Sequence, residues 1–148
     1  MTKEDLSFFF KNKNVLVLSV SQNNIPWVST LNFAEDENLN LYFISKKDSK
    51  HSQIININPN VSVAIYDHNS DPEAVKVGVQ ISGTCKIVSN PLEIKEAYRI
   101  FKNKFPTTKL DPKEILQIAF TSAFYKITPK YIKYFNNSMK IKESEFSL

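Results

Sequence analysis

The sequence predicts a mainly β fold, in which six or seven antiparallel strands with inserted helices form a small closed or split barrel. Residues 75–88 show a clear alternation of apolar and polar side chains, which is typical of a half-buried strand. Residues 14–45 contain three apolar runs separated by Asn23-Asn24 and by residues 36–38, a pattern that predicts an antiparallel meander. A closed or split barrel is the simplest arrangement for these strands because it hides their edges.

The first half of the chain is predicted to place one helix before the meander and another after it. Thr2 is a suitable N-cap for the first helix, and Asp48 or Ser49 for the second, which Asn58-Pro59 ends. The predicted elements are a helix over residues 3–12, strands over 14–22, 27–35 and 39–45, a helix over 49–57 and a strand over 61–66.

The second half is predicted to contain the long strand, two helices and two further strands. Pro91 fits the first position of a helix that Pro106 ends, and Asp111-Pro112 begins a shorter helix. Pro129 is expected to separate the last two strands, because proline donates no ladder hydrogen bond. The predicted elements are a strand over 75–88, helices over 91–105 and 111–119, strands over 120–128 and 131–135, and a loose polar tail from residue 136.

The composition is that of one globular domain over residues 1–148, with 42% hydrophobic and 23% charged residues. The only glycines, Gly78 and Gly83, are too few for a GxxxxGK or GxGxxG phosphate loop and are expected to let the long strand bend. The single cysteine, Cys85, permits no internal disulfide and favours a reduced, cytoplasmic setting. No apolar run reaches the roughly 18 residues of a membrane helix, so we expect no membrane partner.

The basic residues are almost all lysines. The net charge is +4, and Arg99 is the only arginine among 19 basic residues. Because the arginine fork reads guanine edges and grips phosphates, a lysine surface argues against sequence-specific nucleic-acid binding. We therefore expect no nucleic-acid partner; lysine-dependent binding of nucleic acid or another anion, with a steep salt dependence, is a third-ranked hypothesis.

The densest group of polar donors follows the third strand, at a predicted strand-to-helix junction. Cationic and hydroxyl groups beside the free N–H groups of a helix start suit a phosphate-bearing ligand, although an ordinary solvated turn has a similar composition. This basic loop contains Ser45, Lys46, Lys47, Ser49, Lys50, His51 and Ser52.

The sequence contains no recognisable catalytic or metal-binding motif. Nothing marks an activated serine or a pair of catalytic carboxylates. His51 and His68 have no metal-ligand spacing, so we expect no metal. The catalytic residues, if there are any, stay unassigned.

Several landmarks together, in their order and spacing, resemble a known family. They are PWVSTLNF at residues 26–33, LYFIS at 41–45, Ser49-Lys50-His51, Asn58-Pro59, VQISGT at 79–84 and Thr128-Pro129. This set resembles the pyridoxamine 5'-phosphate oxidase-like family of FMN-binding split barrels. The resemblance covers residues 15–135 and implies the FMN-binding split-barrel fold.

The resemblance implies a homodimer with FMN at the subunit interface. The backbone of the second strand would meet the isoalloxazine edge, and the end of the third strand would approach the ribityl chain. Ser49, Lys50 and His51 lie where the oxidases bind the FMN phosphate, and Gln80 would project toward the partner's flavin. The implied cofactor-binding residues are Ser29, Thr30, Leu31, Asn32, Ile44, Ser45, Ser49, Lys50, His51 and Gln80.

The chain departs from the oxidases at several of these places. Lys50 replaces an arginine, His51 replaces a lysine, and Gly78 replaces a flavin-binding glutamine. The arginine and histidine that grip the substrate phosphate in the oxidases have no counterpart after Pro129. The sequence therefore predicts a short member that is not a true pyridoxamine phosphate oxidase.

The leading functional prediction is a cytoplasmic, FMN-dependent oxidoreductase acting on an unknown small molecule. The alternative is a non-enzymatic module that binds haem, a flavin or a deazaflavin in the same cleft. For haem, His51 or His68 would have to be the iron ligand.

Overall fold

The protein is represented by a computed structural model that describes residues 2–68, 70–71, 73–107, 120–137 and 143–147. The helices are α1 (Lys3–Lys11), α2 (Lys50–Ile57) and α3 (Pro91–Lys104). The strands are β1 (Val15–Gln22), β2 (Ile25–Asn32), β3 (Ala34–Glu35), β4 (Leu41–Lys46), β5 (Asn60–Tyr66), β6 (Val77–Ile87), β7 (Ser122–Asn136) and β8 (Glu143–Ser147). The predicted helix over 111–119 lies outside the described residues.

All strands belong to one antiparallel sheet in the order β2-β1-β5-β6-β7-β4-β3, with β8 added to β7. The segment that carries β2 and β3 pairs with β1 at one end of this order and with β4 at the other. The sheet therefore curls back on itself into a split barrel, which confirms the predicted fold class. None of the helices in the described ranges has the length and apolar content needed to cross a bilayer.

Short polar residues begin the helices and turn the chain where the sequence predicts. Thr2 caps α1 in a reciprocal capping box with Asp5, and the Asn90 side chain caps α3. Asn23 and Asn24 have φ values of 52° and 63°, which asparagine tolerates better than most residues. This geometry makes the tight β1–β2 hairpin.

The barrel interior is filled by alternate side chains of its strands and closed by helices. α1 inserts Leu6 and Phe10, and α2 inserts Ile54 and Ile55, into one apolar core with the strands. A second cluster, in which α3 contributes Ala97, Ile100 and Phe101, packs against residues of β3, β4 and β7. α2 therefore rests on the inner side of the sheet, where its first turn can meet β2 and β4.

The end of the meander differs from the prediction. The third strand begins at Leu41, since Leu39 has a φ of 65° and cannot continue a strand. The Asp36 carboxylate organises this turn by accepting hydrogen bonds from the N–H of Asn38 and of Asn40. The predicted strand over 27–35 is likewise divided, because Phe33 separates β2 from β3.

The prediction that Pro129 would separate two strands is wrong. β7 is continuous through Pro129, and the register against β6 shifts between Ser82 and Gly83, so that Gly83 faces Pro129. Proline has no N–H to donate, and at this bulge the ladder does not require one from it. The bend expected at Gly83 thus coincides with the register shift.

The prediction of a loose tail is wrong for residues 143–147. They form β8, which pairs with residues 131–135 of β7. The first half of β7 pairs with β4, from Ser122 to Ile127. β8 therefore covers the part of the β7 edge that β4 does not reach.

A buried ion pair joins α3 to the rest of the barrel. Lys104 Nζ lies 2.5 Å from a Glu35 carboxylate oxygen, with side chains 10% and 7% exposed. The same ammonium donates to the Phe10 carbonyl at 2.9 Å and lies 4.1 Å from the centre of the Phe33 ring. Burial lowers the pKa of Lys104, while Glu35 acts against this shift. One side chain thus connects α3 to α1 and β3.

Candidate functional site

The candidate site is a cluster of hydroxyl groups around His51, where β2, β4 and α2 meet. His51 Nδ1 lies 3.0 Å from Ser29 Oγ. His51 Nε2 lies 2.6 Å from Ser45 Oγ and 3.1 Å from Ser49 Oγ. Ser45 and Ser49 are themselves 3.1 Å apart. We call these four residues the His51 cluster; all four belong to the set implied by the resemblance.

The positions of three serines, on β2, at the end of β4 and at the start of α2, bring the cluster together. Ser49 is the N-cap of α2, and its hydroxyl accepts a hydrogen bond from the N–H of Ser52. This cap places His51 in the first turn, on the side of α2 that faces the sheet. Ser45 lies near the end of β4, and Ser29 is half-buried on β2. The strand-to-helix junction therefore brings distant hydroxyl groups to one imidazole.

The surroundings of His51 favour its neutral imidazole form. Its side chain is buried, and its ring makes a T-shaped contact with the Phe43 ring, with centroids 6.1 Å apart. This burial lowers the pKa of His51 by desolvation. Both ring nitrogens have hydroxyl neighbours, which can either donate or accept, so either neutral tautomer is satisfied.

Lys50 lies beside the cluster and faces a different partner. Its Nζ is 4.0 Å from the centre of the Trp27 ring, in cation–π geometry. Trp27 and Ser29 are two residues apart on β2, and their respective partners Lys50 and His51 are adjacent on α2. α2 and β2 therefore make two neighbouring contacts, one between Lys50 and Trp27 and one between His51 and Ser29.

The remaining residues of the implied set lie elsewhere on the sheet. Leu31 is half-buried against the main core, and Ile44 packs against the second cluster. Thr30, Asn32 and Gln80 are exposed on the outer face. The pairing Thr30–Val17–Ala64–Gln80 aligns the first and last of these in one row across β2, β1, β5 and β6. The structure thus separates an inner His51 cluster from an outer row.

Gln80 faces outward, as the alternation of β6 predicts. Its neighbours Val79 and Ile81 are 1% and 3% exposed, whereas Gln80 is exposed. The outer face around this row also carries exposed apolar side chains, including Val28, which is 56% exposed. A polar row with apolar flanks is suited to contact with another surface.

Three residues near the cluster were outside the implied set. Ser52 is fully buried and accepts a hydrogen bond from Ser49 at 2.8 Å. Tyr125 is fully buried, and its ring stacks on Phe43 at 5.1 Å. Trp27 contacts Lys50. The sequence marked Ser52 as part of the basic loop, but it contains no local signal for the other two, which depend on pairing between distant elements.

An open cleft lies away from the His51 cluster, between α1, α3 and the turn before β4. It encloses about 810 Å³. Its charged lining is largely paired already, by Lys104 with Glu35 and by Arg99 with Glu96 at 2.6 Å. Across the described ranges, no group of three or more histidine, cysteine or acidic side chains is placed to hold a metal ion. The His51 cluster therefore remains the stronger candidate site.

The fold and the cluster define a class of protein: a split barrel with an anion-suited group of hydroxyls at the start of a short helix. A family model described as pyridoxamine 5'-phosphate oxidase matches residues 1–136. The chain belongs to this family. Its curated relatives include a UPF0306 protein of Yersinia pseudotuberculosis, 24% identical over 111 residues, which are 74% of each chain.

Solved structures share the fold at low sequence identity. General stress protein 26 of Bacillus anthracis superposes with a TM-score of 0.68 at 20% identity, over 99% of this chain and 98% of that one. A haem-binding protein of Mycobacterium smegmatis gives a TM-score of 0.74 at 10% identity, over 99% of this chain and 58% of that one. These likenesses show a common fold for the barrel.

Proposed function

We propose that this protein binds FMN and acts as a small oxidoreductase on a substrate that is not yet known. The observation that carries the proposal is the His51 cluster at the start of α2, in a chain of the pyridoxamine 5'-phosphate oxidase family. In this proposal the FMN phosphate binds at the cluster. The flavin would supply the electron-transfer chemistry, and the protein would supply binding and orientation.

The donor set of the cluster fits a phosphate. Ser45 and Ser49 offer hydroxyl donors, and the first turn of α2 offers backbone N–H groups with the positive end of its dipole. Lys50, held 4.0 Å from the Trp27 ring, is the nearby cation that can swing toward the anion. Hydrogen bonds between an ammonium and a phosphate are stronger than those between neutral groups. Lys50 therefore supplies charge, and the serines supply directed donors.

The outer row supports the second part of the proposal, a homodimer with the flavin at its interface. Thr30 and Gln80 lie in register on the outer face, and Val28 beside them is 56% exposed. A second copy would cover these apolar side chains. We place the protein in the cytoplasm because its single cysteine, Cys85, is a free and fully buried thiol.

Titration with FMN tests the proposal. We expect wild-type protein to bind FMN at micromolar concentration, with a flavin absorbance band that elutes with the protein. Lys50→Ala is expected to weaken binding roughly tenfold, because it removes the charge-assisted contact. Lys46→Ala removes an exposed lysine from the same loop and serves as the matched control, with unchanged affinity. Absence of FMN binding by the wild-type protein contradicts the proposal.

FMN affinity is expected to depend on the protonation of His51. Burial lowers the pKa of His51 below its ordinary value of about 6.5, which favours the neutral form in the free protein. A bound phosphate favours the protonated imidazole, so affinity should rise as the pH falls below about 6.5, by at most tenfold per pH unit. The free energy of unfolding of the ligand-free protein should change in the opposite direction. As the pH falls below about 6.5, His51 is protonated more readily in the unfolded chain than in the folded one, so the folded protein becomes less stable.

The pH profile has a direct control. FMN has a phosphate pKa near 6 of its own, which affects every variant alike. His51→Gln keeps a hydrogen-bonding side chain and removes the titration. We expect the wild-type and His51→Gln affinities to diverge below about pH 6.5. Parallel profiles from about pH 5 to 8 would show that His51 does not touch the phosphate.

Haem binding is a second candidate, favoured by the fold shared with the haem-binding protein of M. smegmatis. His51 is a poor ligand for iron, since both its ring nitrogens contact hydroxyl groups and its side chain is buried. His68 is exposed after β5 and is the better candidate. A Soret band that develops with wild-type protein and is lost in His68→Ala, without FMN binding, would favour haem over the flavin.

A further inference from the structure

The contact between Ser45 and His51 is the shortest in the His51 cluster. Ser45 Oγ lies 2.6 Å from His51 Nε2, whereas Ser49 Oγ lies 3.1 Å from the same nitrogen. The Ser49 hydroxyl already donates its proton to Ser52 Oγ, at 2.8 Å. Ser45 is therefore the hydroxyl of this pair that can give its proton to the imidazole.

The other nitrogen of the His51 ring contacts a third hydroxyl. Nδ1 lies 3.0 Å from Ser29 Oγ on β2. When Nδ1 carries the ring proton, it donates to Ser29, and Nε2 is then able to accept the proton of Ser45. The three side chains thus have the arrangement of a nucleophile, a general base and a group that orients the base.

The nucleophile of this arrangement lies beside the start of α2. Ser45 is half-buried, so a small molecule can reach it, and its hydroxyl lies 3.1 Å from that of Ser49, the N-cap of the helix. The N–H groups of Lys50 and His51 belong to the first turn and have no acceptor within the helix. Such groups stabilise the negative charge that develops on a carbonyl oxygen when a serine attacks its carbon.

We propose that Ser45 is an activated nucleophile and that the protein hydrolyses activated esters of short carboxylic acids through an acyl group on Ser45. His51 Nε2 takes the Ser45 proton as Oγ bonds to the carbonyl carbon, and it gives this proton to the leaving alcohol as the ester C–O bond breaks. A water molecule then loses a proton to His51 and attacks the acyl-serine, and the acid leaves as the proton returns to Ser45 Oγ. Ester and water are consumed, and alcohol and acid are formed.

Acyl transfer at Ser45 goes beyond the proposed flavin function and needs no flavin. A phosphate bound at the His51 cluster would occupy the Ser45 hydroxyl, so a phosphate and an ester exclude each other there. FMN and inorganic phosphate are therefore expected to slow acylation of Ser45, each at the concentration at which it binds.

The experiment treats the full chain, in its FMN-free form, with p-nitrophenyl acetate. We expect a burst of p-nitrophenol, and mass spectrometry of the acid-quenched protein is expected to find an acetyl group on Ser45. His51→Gln should slow this acetylation about 100-fold, since it removes the general base. Ser29→Ala should slow it about fivefold, because the base then loses a neutral hydrogen bond that orients it.

A pH profile distinguishes a general base from a purely structural histidine. The side chains that contact the His51 ring from β2, β4 and α2 are uncharged, and the neighbouring Lys50 ammonium lies over Trp27. Burial lowers the pKa of His51, so acetylation of Ser45 should slow only as the pH falls below about 6.5 and the imidazole becomes protonated.

Three serine variants complete the test. Ser45→Ala should not be acetylated in the loop, whereas Ser45→Cys keeps a nucleophile at the same position and should be. If Ser45→Ala does not fold, Ser45→Cys and His51→Gln decide between them. Ser62→Ala removes an exposed serine of β5 and is the matched control, with unchanged acetylation of Ser45.

The outcomes separate acyl transfer from the flavin site. Acetylation of Ser45 that depends on His51 supports acyl transfer. Acetyl groups on lysines alone, or on Ser45 at an equal rate in His51→Gln, overturn it. FMN binding without acetylation of Ser45 in the FMN-free chain overturns acyl transfer and leaves the phosphate site standing, and acetylation of Ser45 without FMN binding does the reverse.

Discussion

Replacing Gly83 with alanine is expected to lower the free energy of unfolding by about 3 kcal/mol, at the upper end for an overpacked site. A Cβ at this position would lie 2.3 Å from the Thr128 carbonyl oxygen and 3.0 Å from the Pro129 Cα. Both are backbone atoms of β7, which is held by β6 on one side, so the strand itself would have to move. Urea denaturation measures the loss directly.

The other glycine of the long strand provides the control. A Cβ on Gly78 would lie 2.5 Å from Phe135 Cζ, the end of a side chain that can turn aside, and 3.0 Å from the Ile65 carbonyl oxygen. We expect Gly78→Ala to cost about 1 kcal/mol. Equal losses of unfolding free energy in the two variants would show that the bulge opposite Pro129 does not require a residue without a side chain at Gly83.

Replacing Lys104 with alanine is expected to cost about 3 kcal/mol of unfolding free energy, because it leaves the Glu35 carboxylate buried without its cation. The lost hydrogen bond to the Phe10 carbonyl and the lost contact with Phe33 add to the effect. The low end of the range applies because both side chains also line the open cleft, where water can reach Glu35. Thermal and urea unfolding both measure it.

Two comparisons isolate the ion pair. Lys95→Ala removes an exposed lysine from the same helix and is expected to change stability by less than about 0.5 kcal/mol. The double variant Lys104→Met, Glu35→Leu removes both charges and is expected to be more stable than Lys104→Ala. A double variant as unstable as the single one would mean that packing, rather than the unpaired charge, carries the cost.

Much of the fold could be predicted because its determinants are local. Thr2 and Asn90 cap helices through neighbours within three positions, and Asn23-Asn24 makes a hairpin by its own backbone preference. The alternation around Gln80 placed that side chain on the outer face for the same reason. The resemblance implied Ser29, Ser45, Ser49 and His51 as cofactor-binding residues, and the structure brings these four side chains together, while their role toward a cofactor stays a prediction.

The features that could not be predicted depend on pairing between distant segments. Pro129 looks like a strand breaker until its partner strand is seen to shift register at Gly83. Residues 143–147 are polar except for Phe146, and they form a strand by pairing with the edge of β7. The contact between Lys50 and Trp27 likewise depends on the packing of α2 on β2, for which the sequence contains no local signal. Each case is a tertiary contact that outweighs a local preference.

The closure of the sheet also affects the rate of folding. β4 pairs with β7 from Leu41–Ile127 to Lys46–Ser122, so about half of the chain lies between the two strands. Contacts between segments so distant form slowly, because a long loop must be ordered before they contribute. During synthesis, β4 cannot pair with β7 until residue 127 has been made, so the Phe43 side chain is expected to stay exposed until then. We therefore expect the joining of β4 to β7 to limit the folding rate and to be the stage most prone to aggregation.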